Sequence, residues 1–186
     1  MTSTAPELTD GRILLRPLTD ADAPEHLAGE DEEQVRWLSG QPATIERVRA
    51  WISANERDRR TDGPKRNFGI IDLATGALVG NIEAQLALAE LKAGEVNVAY
   101  ATFPSWRGRG IATRAVRLIT EWLVTIPTVY TAVIRVHPDN AASVGAARAA
   151  GFVDVGVTMA ADGLATRRFE QRICDVRKSA AHGVRR

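Results

Sequence analysis

A single cysteine, Cys174, stands in a chain of 186 residues, so no internal disulfide can form. That scarcity fits a reducing, cytoplasmic setting. No Ser/His/Asn context surrounds Cys174, and the pattern Phe169, Gln171, Ile173 around it is that of a late strand, not of a nucleophile. Histidine is nearly as rare. His26, His137 and His182 are scattered, and with one cysteine they offer no ligand spacing, so no metal site is expected. Excess charge is missing too. A net charge of +1 removes the general electrostatic case for a nucleic-acid partner. The basic clusters (Arg57, Arg59, Arg60; Lys65, Arg66; Arg167, Arg168) are interleaved with acids and read as solvated faces. No apolar run approaches a membrane span, and Met1–Asp10 has neither the basic nor the apolar part of a signal peptide.

What is present suits one globular domain with a substantial core, given 45% hydrophobic and 25% charged residues. Residues 1–10 read as a flexible arm, 11–175 as the domain and 176–186 as a frayed tail. There is no internal repeat and no low-complexity linker.

The apolar pattern alternates between strand and helix periods. Arg12 to Leu18 reads as a strand stopped at Pro17. Thr19-Asp20 offers a cap before Ala21 to Leu38, one helix or two short ones. Thr44 opens a second helix, with Ile45, Val48, Trp51 and Ile52 on one face. Asp62-Gly63-Pro64 ends it. Asn67–Asp72, Ala77–Leu86 and Glu95–Phe103 then read as an antiparallel meander. Ile111–Val124 is helical, Val129–Val136 a buried strand, and Asn140 caps an alanine-rich helix that ends at Gly151. Phe152–Val157 and Thr166–Cys174 close the domain as a strand pair around Asp162-Gly163. The fold class is mixed α/β (α+β), with about seven strands and about four helices.

Between the third meander strand and its following helix lies Arg107-Gly108-Arg109-Gly110-Ile111-Ala112-Thr113. A glycine-broken turn entering a helix leaves backbone N–H groups unpaired and adds the positive end of the helix dipole, a cradle for phosphate. A P-loop needs Gly-x-x-x-x-Gly-Lys-Ser/Thr, which is absent. A dinucleotide fingerprint needs a third glycine where Thr113 stands, and it belongs after a first βαβ strand rather than behind a meander.

The spacing Arg107-x-x-Gly110-x-Ala112 resembles the acetyl-CoA motif of the GNAT superfamily of N-acetyltransferases. His137-Pro138-Asp139-Asn140-Ala141-Ala142-Ser143, followed by Gly151-Phe152, resembles the family's second element. Gly11–Leu18 and Tyr100-x-x-x-Pro104-x-Trp106-Arg107 are similar to the ribosomal-protein alanine N-acetyltransferase branch. The resemblance implies a mostly antiparallel sheet splayed around acetyl-CoA and direct acetyl transfer to an amine. It implies cofactor contacts from Ala101, Thr102 and Phe103, from Arg107, Gly108, Arg109, Gly110, Ile111, Ala112 and Thr113, and from Asn140 and Ser143. Ala99–Phe103 would pair with the pantetheine amides, with a bulge near Val98–Tyr100 aiming an N–H at the thioester oxygen. Many relatives carry a tyrosine seven residues after the asparagine, where this chain has Ala147, so Ser143 becomes the candidate proton donor to the thiolate.

Candidate bases are Glu83 in the middle meander strand, Glu95 at the start of the last, and His137 at a strand end. The acceptor side should come from the first two helices, the 61–66 loop and the late strand pair. Trp37, Trp51 and Phe68 are apolar residues of that region, and Asp31, Glu32 and Glu33 are acids able to attract a cationic amine. The expected acceptor is a small-molecule amine or a peptide N-terminus. A longer acyl donor, and a CoA-binding sensor or interaction module without turnover, are the competing readings. A homodimer would be common for the family, though no residue demands one.

Overall fold

The computed structural model describes residues 6–159, 163 and 165–176. The Asp162 turn position, His182, residues 1–5 of the expected arm and residues 177–186 of the expected tail lie outside the described residues. The chain builds one eight-stranded sheet in the order β1-β2-β3-β4-β5-β6-β8-β7. The strands are β1 Leu8–Thr9, β2 Ile13–Arg16, β3 Lys65–Asp72, β4 Leu78–Gln85, β5 Glu95–Thr102, β6 Thr131–Val136, β7 Val153–Met159 and β8 Ala165–Arg172. All neighbours pair antiparallel except β5 and β6. The strand beyond the expected seven is β1. Leu8 and Thr9, from the expected arm, pair with Leu15 and Leu14 at the sheet edge.

The helices are α1 Ala23–Ala28, α2 Glu32–Gln34, α3 Ile45–Arg60, α4 Ile111–Leu123 and α5 Ala141–Ala149. The segment expected as one helix or two short ones is two. Gly29 closes α1, and a side chain there would collide with the Phe103 ring. A wider π-type turn, Val35–Ser39, extends α2 and closes with Gly40 N–H on the Val35 carbonyl.

Each sheet face carries its own apolar layer. α4 covers one face. Its residues Ile111, Ala115, Val116, Leu118, Ile119 and Leu123 are buried on one stripe, packed with Phe68, Ile82, Val98, Ile134 and Phe169. Each such aliphatic side chain contributes about 1.5–3 kcal/mol by leaving water. Phe68 belongs to this layer, edge-on to Trp122, and not to the acceptor side. The other face is covered by α1 and α3, where Leu18, Val48, Ile52, Leu78 and Phe103 form a smaller cluster.

The entry into α1 is set by charge. Asp22 accepts the Thr19 amide at 2.7 Å and a two-pronged contact from Arg16 at 2.7 and 2.9 Å. Burial works against its charge, but the Arg16 and Thr19 donors outweigh it and hold the carboxyl at about 2, below the ordinary 3.8. A depressed carboxylate stabilises the fold above its ordinary titration and loses that contribution as pH falls through the folded value. Asp22→Asn should therefore cost about 1–2 kcal/mol at neutral pH, allowing for solvent screening. The difference from wild type should fade as urea unfolding is repeated at falling pH towards that value of about 2. A pH-independent difference would contradict the assignment.

Candidate active site

β5 and β6 pair over three positions, Glu95↔Thr131 to Asn97↔Val133, and then part. β5 stays paired to β4 through Thr102, and β6 stays paired to β8 through Val136. Beyond Asn97 a V-shaped opening separates the two halves of the sheet. Phe103 N–H bonds to Val79 on β4. By the two-residue alternation of a strand, Val98, Tyr100 and Thr102 turn their amide groups to the open edge. The β4–β5 register runs unbroken from Gly80↔Thr102 to Gln85↔Asn97, so the bulge expected near Val98–Tyr100 is absent. Register shifts fall instead at Ile70/Ile71 and Asp154/Gly156.

The opening is a cleft of about 380 Å³. One wall is Val98–Thr102 and the opposite wall is Ile134–His137, Asn140 and Ser143. Arg107, Gly108 and Gly110–Thr113 form one end. Gly108 and Gly110 sit at φ 72° and 75°, and no heavy atom lies within 4 Å of where a Cβ would project. Left-handed backbone there needs glycine. Gly110 precedes α4 without any side-chain cap, so the first-turn amides of α4 are left to a ligand. This is the arrangement an anion at a helix start requires.

The structure therefore gathers Ala101, Thr102, Arg107, Gly108, Gly110, Ile111, Ala112, Thr113, Asn140 and Ser143 around one cleft. It separates Phe103 and Arg109 from it, and it commits the side chain of Arg107 elsewhere. Phe103 points into the α1–α3 cluster, 5% exposed, because odd-numbered residues of β5 face that side. Arg109 stacks its guanidinium 4.9 Å from the Trp106 ring centroid. It lines a neighbouring groove with Arg114 and Arg117. The Arg107 guanidinium is engaged with protein acceptors. Nε donates to the Thr102 carbonyl at 3.1 Å, Nη1 to Asp31 and Glu33 at 2.7 and 2.6 Å, and Nη2 to Asp31 at 2.8 Å.

At the far end, Asn140 caps α5 by accepting the Ser143 amide at 3.0 Å. The Ser143 carbonyl accepts the Tyr100 hydroxyl at 3.1 Å. Burial pushes the Tyr100 phenol up to about 12, so it stays a neutral donor. Tyr100 ties β5 to α5 across the cleft. Its even-numbered place in β5, in phase with Val96 and Val98, was the signal in the sequence that it faces α4 and α5.

A model of the acetyltransferase (GNAT) domain matches residues 12–153. The chain belongs to the GNAT acetyltransferase family. No curated protein sequence matches it significantly. Solved structures similar to this GNAT chain include a candidate ribosomal-protein-serine acetyltransferase from Vibrio cholerae (16% identity, TM-score 0.74, 92% of this chain and 99% of that one). Another is Mycobacterium smegmatis RimJ in complex with CoA-disulfide (19%, 0.75, 96% and 93%). A third is an aminoglycoside acetyltransferase bound to paromomycin and acetyl-CoA (20%, 0.71, 87% and 93%). At these identities the likeness is one of fold, and it includes members of the ribosomal-protein branch.

In the GNAT frame the candidate bases fall in different places. Glu83 lies outside the cleft, on the face covered by α1 and α3, paired with Ala99 of the cleft wall. It accepts from Asn67 at 3.4 Å and from Gln85, and Asn97 in turn donates to Gln85 at 2.7 Å. Glu95 is held by Arg168 at 2.7 Å. Burial opposes its charge, yet Arg168 and the Lys92 amide keep it below the usual carboxylate range, which is poor tuning for a base. His137 lines the cleft and stacks on Trp37, ring centroids 5.0 Å apart. Its Nδ1 accepts the Asp139 amide at 3.2 Å, which in the neutral ring puts the proton on Nε2 and leaves neither nitrogen with a free lone pair. Among the described residues, no group of His, Cys, Asp and Glu is arranged to hold a metal ion.

Proposed function

We propose that this GNAT chain moves acetyl from acetyl-CoA directly to a primary amine of a small molecule or a protein N-terminus. The observation that carries the reading is the joining of two features in one cleft. They are an anion-ready helix start at Gly108–Thr113 and an open strand edge at Val98–Thr102. The residues fit the donor. The α4 amides and the two glycines suit its pyrophosphate, Arg109 suits its nucleotide phosphate beside Arg114 and Arg117, which are held by Asp10 and the Ala149 carbonyl, and the β5 edge suits its pantetheine amides. Acetyl-CoA supplies an activated acyl carbon and a good leaving thiolate.

The chain's own residues then do the rest. The open β5 amides hold the acyl oxygen. The amine arrives from the α1–α3 face, where Glu83 takes its proton through a bridging water. The new C–N bond forms as the C–S bond breaks, and Ser143, beside the strand edge, passes its proton to the thiolate while taking one from a water, so that it ends as the neutral hydroxyl. Similar structures include a candidate ribosomal-protein acetyltransferase and an aminoglycoside acetyltransferase, which supports an amine acceptor of either class. The position at which many relatives carry a tyrosine is Ala147, fully buried, and that observation favours a module without turnover as the second reading.

Glu83→Gln tests the base. Thiol release should fall by roughly tenfold to a hundredfold near neutral pH, and the deficit should shrink as pH rises, because the amine then arrives already deprotonated. A pH–rate profile of the same shape as wild type would remove Glu83 from the mechanism.

A further inference from the structure

The motif arginine at the donor turn has its donors committed elsewhere. A guanidinium carries five N–H groups in a fixed fork. Four of those of Arg107 are used, one on the Thr102 carbonyl, two on Asp31 and one on Glu33. The two acids lie 76 and 74 residues away in sequence. Both are in the α2 region, and Arg107 lies where β5 hands over to α4. Asp31 has a second duty, since its Oδ1 accepts the Gln34 amide at 2.9 Å and caps α2. The Arg107 hydrogen bond holds the Asp31 carboxyl below its usual range. Fixing Asp31 therefore fixes the start of α2. From there the π-type turn carries Trp37 across the cleft to the His137 ring, and Gln34, Trp37 and Leu38 into the cleft lining.

We infer that Arg107 is a positioning residue, which holds α2 and its π-type turn as a cleft wall instead of contacting the donor's phosphates. For it to reach a phosphate, two carboxylate contacts would have to break, and both acids would be left beside an incoming anion. With the contacts kept, the single charge of Arg107 offsets one of the two carboxylates, and the group as a whole offers that anion no attraction. The anion is left to the backbone of Gly108–Thr113. This inference rests on the acetyl-CoA reading of the cleft.

Arg107→Lys keeps the charge and removes the fork, and Asp31→Asn removes the acid while keeping a helix-capping side chain. CoA affinity by titration calorimetry and amide exchange over residues 32–39 by mass spectrometry test both variants. The inference predicts CoA affinity within threefold of wild type in each. It also predicts exchange at least tenfold faster over 32–39 in each, with and without CoA. A tenfold or greater loss of CoA affinity in Arg107→Lys overturns it, whatever the exchange shows. Unchanged exchange overturns it as well, and so does tighter CoA binding by Asp31→Asn, the mark of an arginine released to a phosphate. Failure of wild type to bind CoA would instead reject the acetyl-CoA reading beneath it.

Discussion

Gly110→Val should bind CoA roughly a thousandfold more weakly than wild type, while the domain still folds. Gly110 stands at φ 75° immediately before α4, and a β-branched residue there is strained by about 1–3 kcal/mol. No protein atom lies within 4 Å of the added Cβ, so inside the protein the side chain has room. The obstruction falls on the ligand side. Gly110 lines the cleft at the start of α4, so the added side chain would compete with an anion approaching the α4 amides, and relief of the strain would turn those amides away. Losing two charge-assisted hydrogen bonds at about 1.5–3 kcal/mol each brings the loss to about 4 kcal/mol, close to a thousandfold in Kd. Calorimetric titration with CoA measures it, and thermal unfolding of the same sample checks the fold. An affinity within threefold of wild type would remove the glycine turn from the donor site.

Phe169→Ala should destabilise the domain by about 3–5 kcal/mol and lower Tm by roughly 10 °C or more. Phe169 is fully buried. It pairs with Ile134, a residue of the cleft wall, and it packs in the layer that contains Ala147 and Phe152 beneath α5. β6 cannot lean on β5 beyond Asn97, so β8 holds it in place, and Phe169 is the largest apolar side chain β8 contributes. The cavity left by alanine would loosen the β6 wall itself. Part of the lost Tm should return with saturating CoA, by mass action on the folded state. A loss below about 1 kcal/mol, outside the range for a buried phenylalanine, would show that β8 does not brace the cleft.

The features legible in the sequence are those carried by local chemistry. Gly108 and Gly110 marked the turn because only glycine adopts that backbone readily, and α4 follows at once. Asn140 announced the start of α5, where its side chain does accept the Ser143 amide. The meander Asn67–Phe103 emerged in order because each strand is bounded by turn residues. What escaped depends on partners distant in sequence. The bonds of Arg107 to Asp31 and Glu33 require α2 and the donor turn to meet in space, and no local pattern announces that. The direction of Phe103 follows strand phase, on the side of Glu95, Asn97, Ala99 and Ala101 and opposite Val96, Val98 and Tyr100, but which helices cover each side depends on distant elements. β1 has two residues, too few to carry a period. The need for glycine at position 29 comes from the Phe103 ring, 74 residues further on, which fills the space a side chain would take. The Asp139 amide on His137 Nδ1 depends on the fold of the 137–139 turn, which residue type alone does not specify.

Thiol release from acetyl-CoA, followed with an aliphatic diamine, an aminoglycoside and a short peptide with a free N-terminus, tests the central claim most directly. Mass spectrometry of the amines completes it. Direct transfer predicts release that depends on at least one of these amines, matched mole for mole by one acetyl group gained on its nitrogen. Tight acetyl-CoA binding with no amine-dependent release across the panel would contradict it and leave a CoA-binding module.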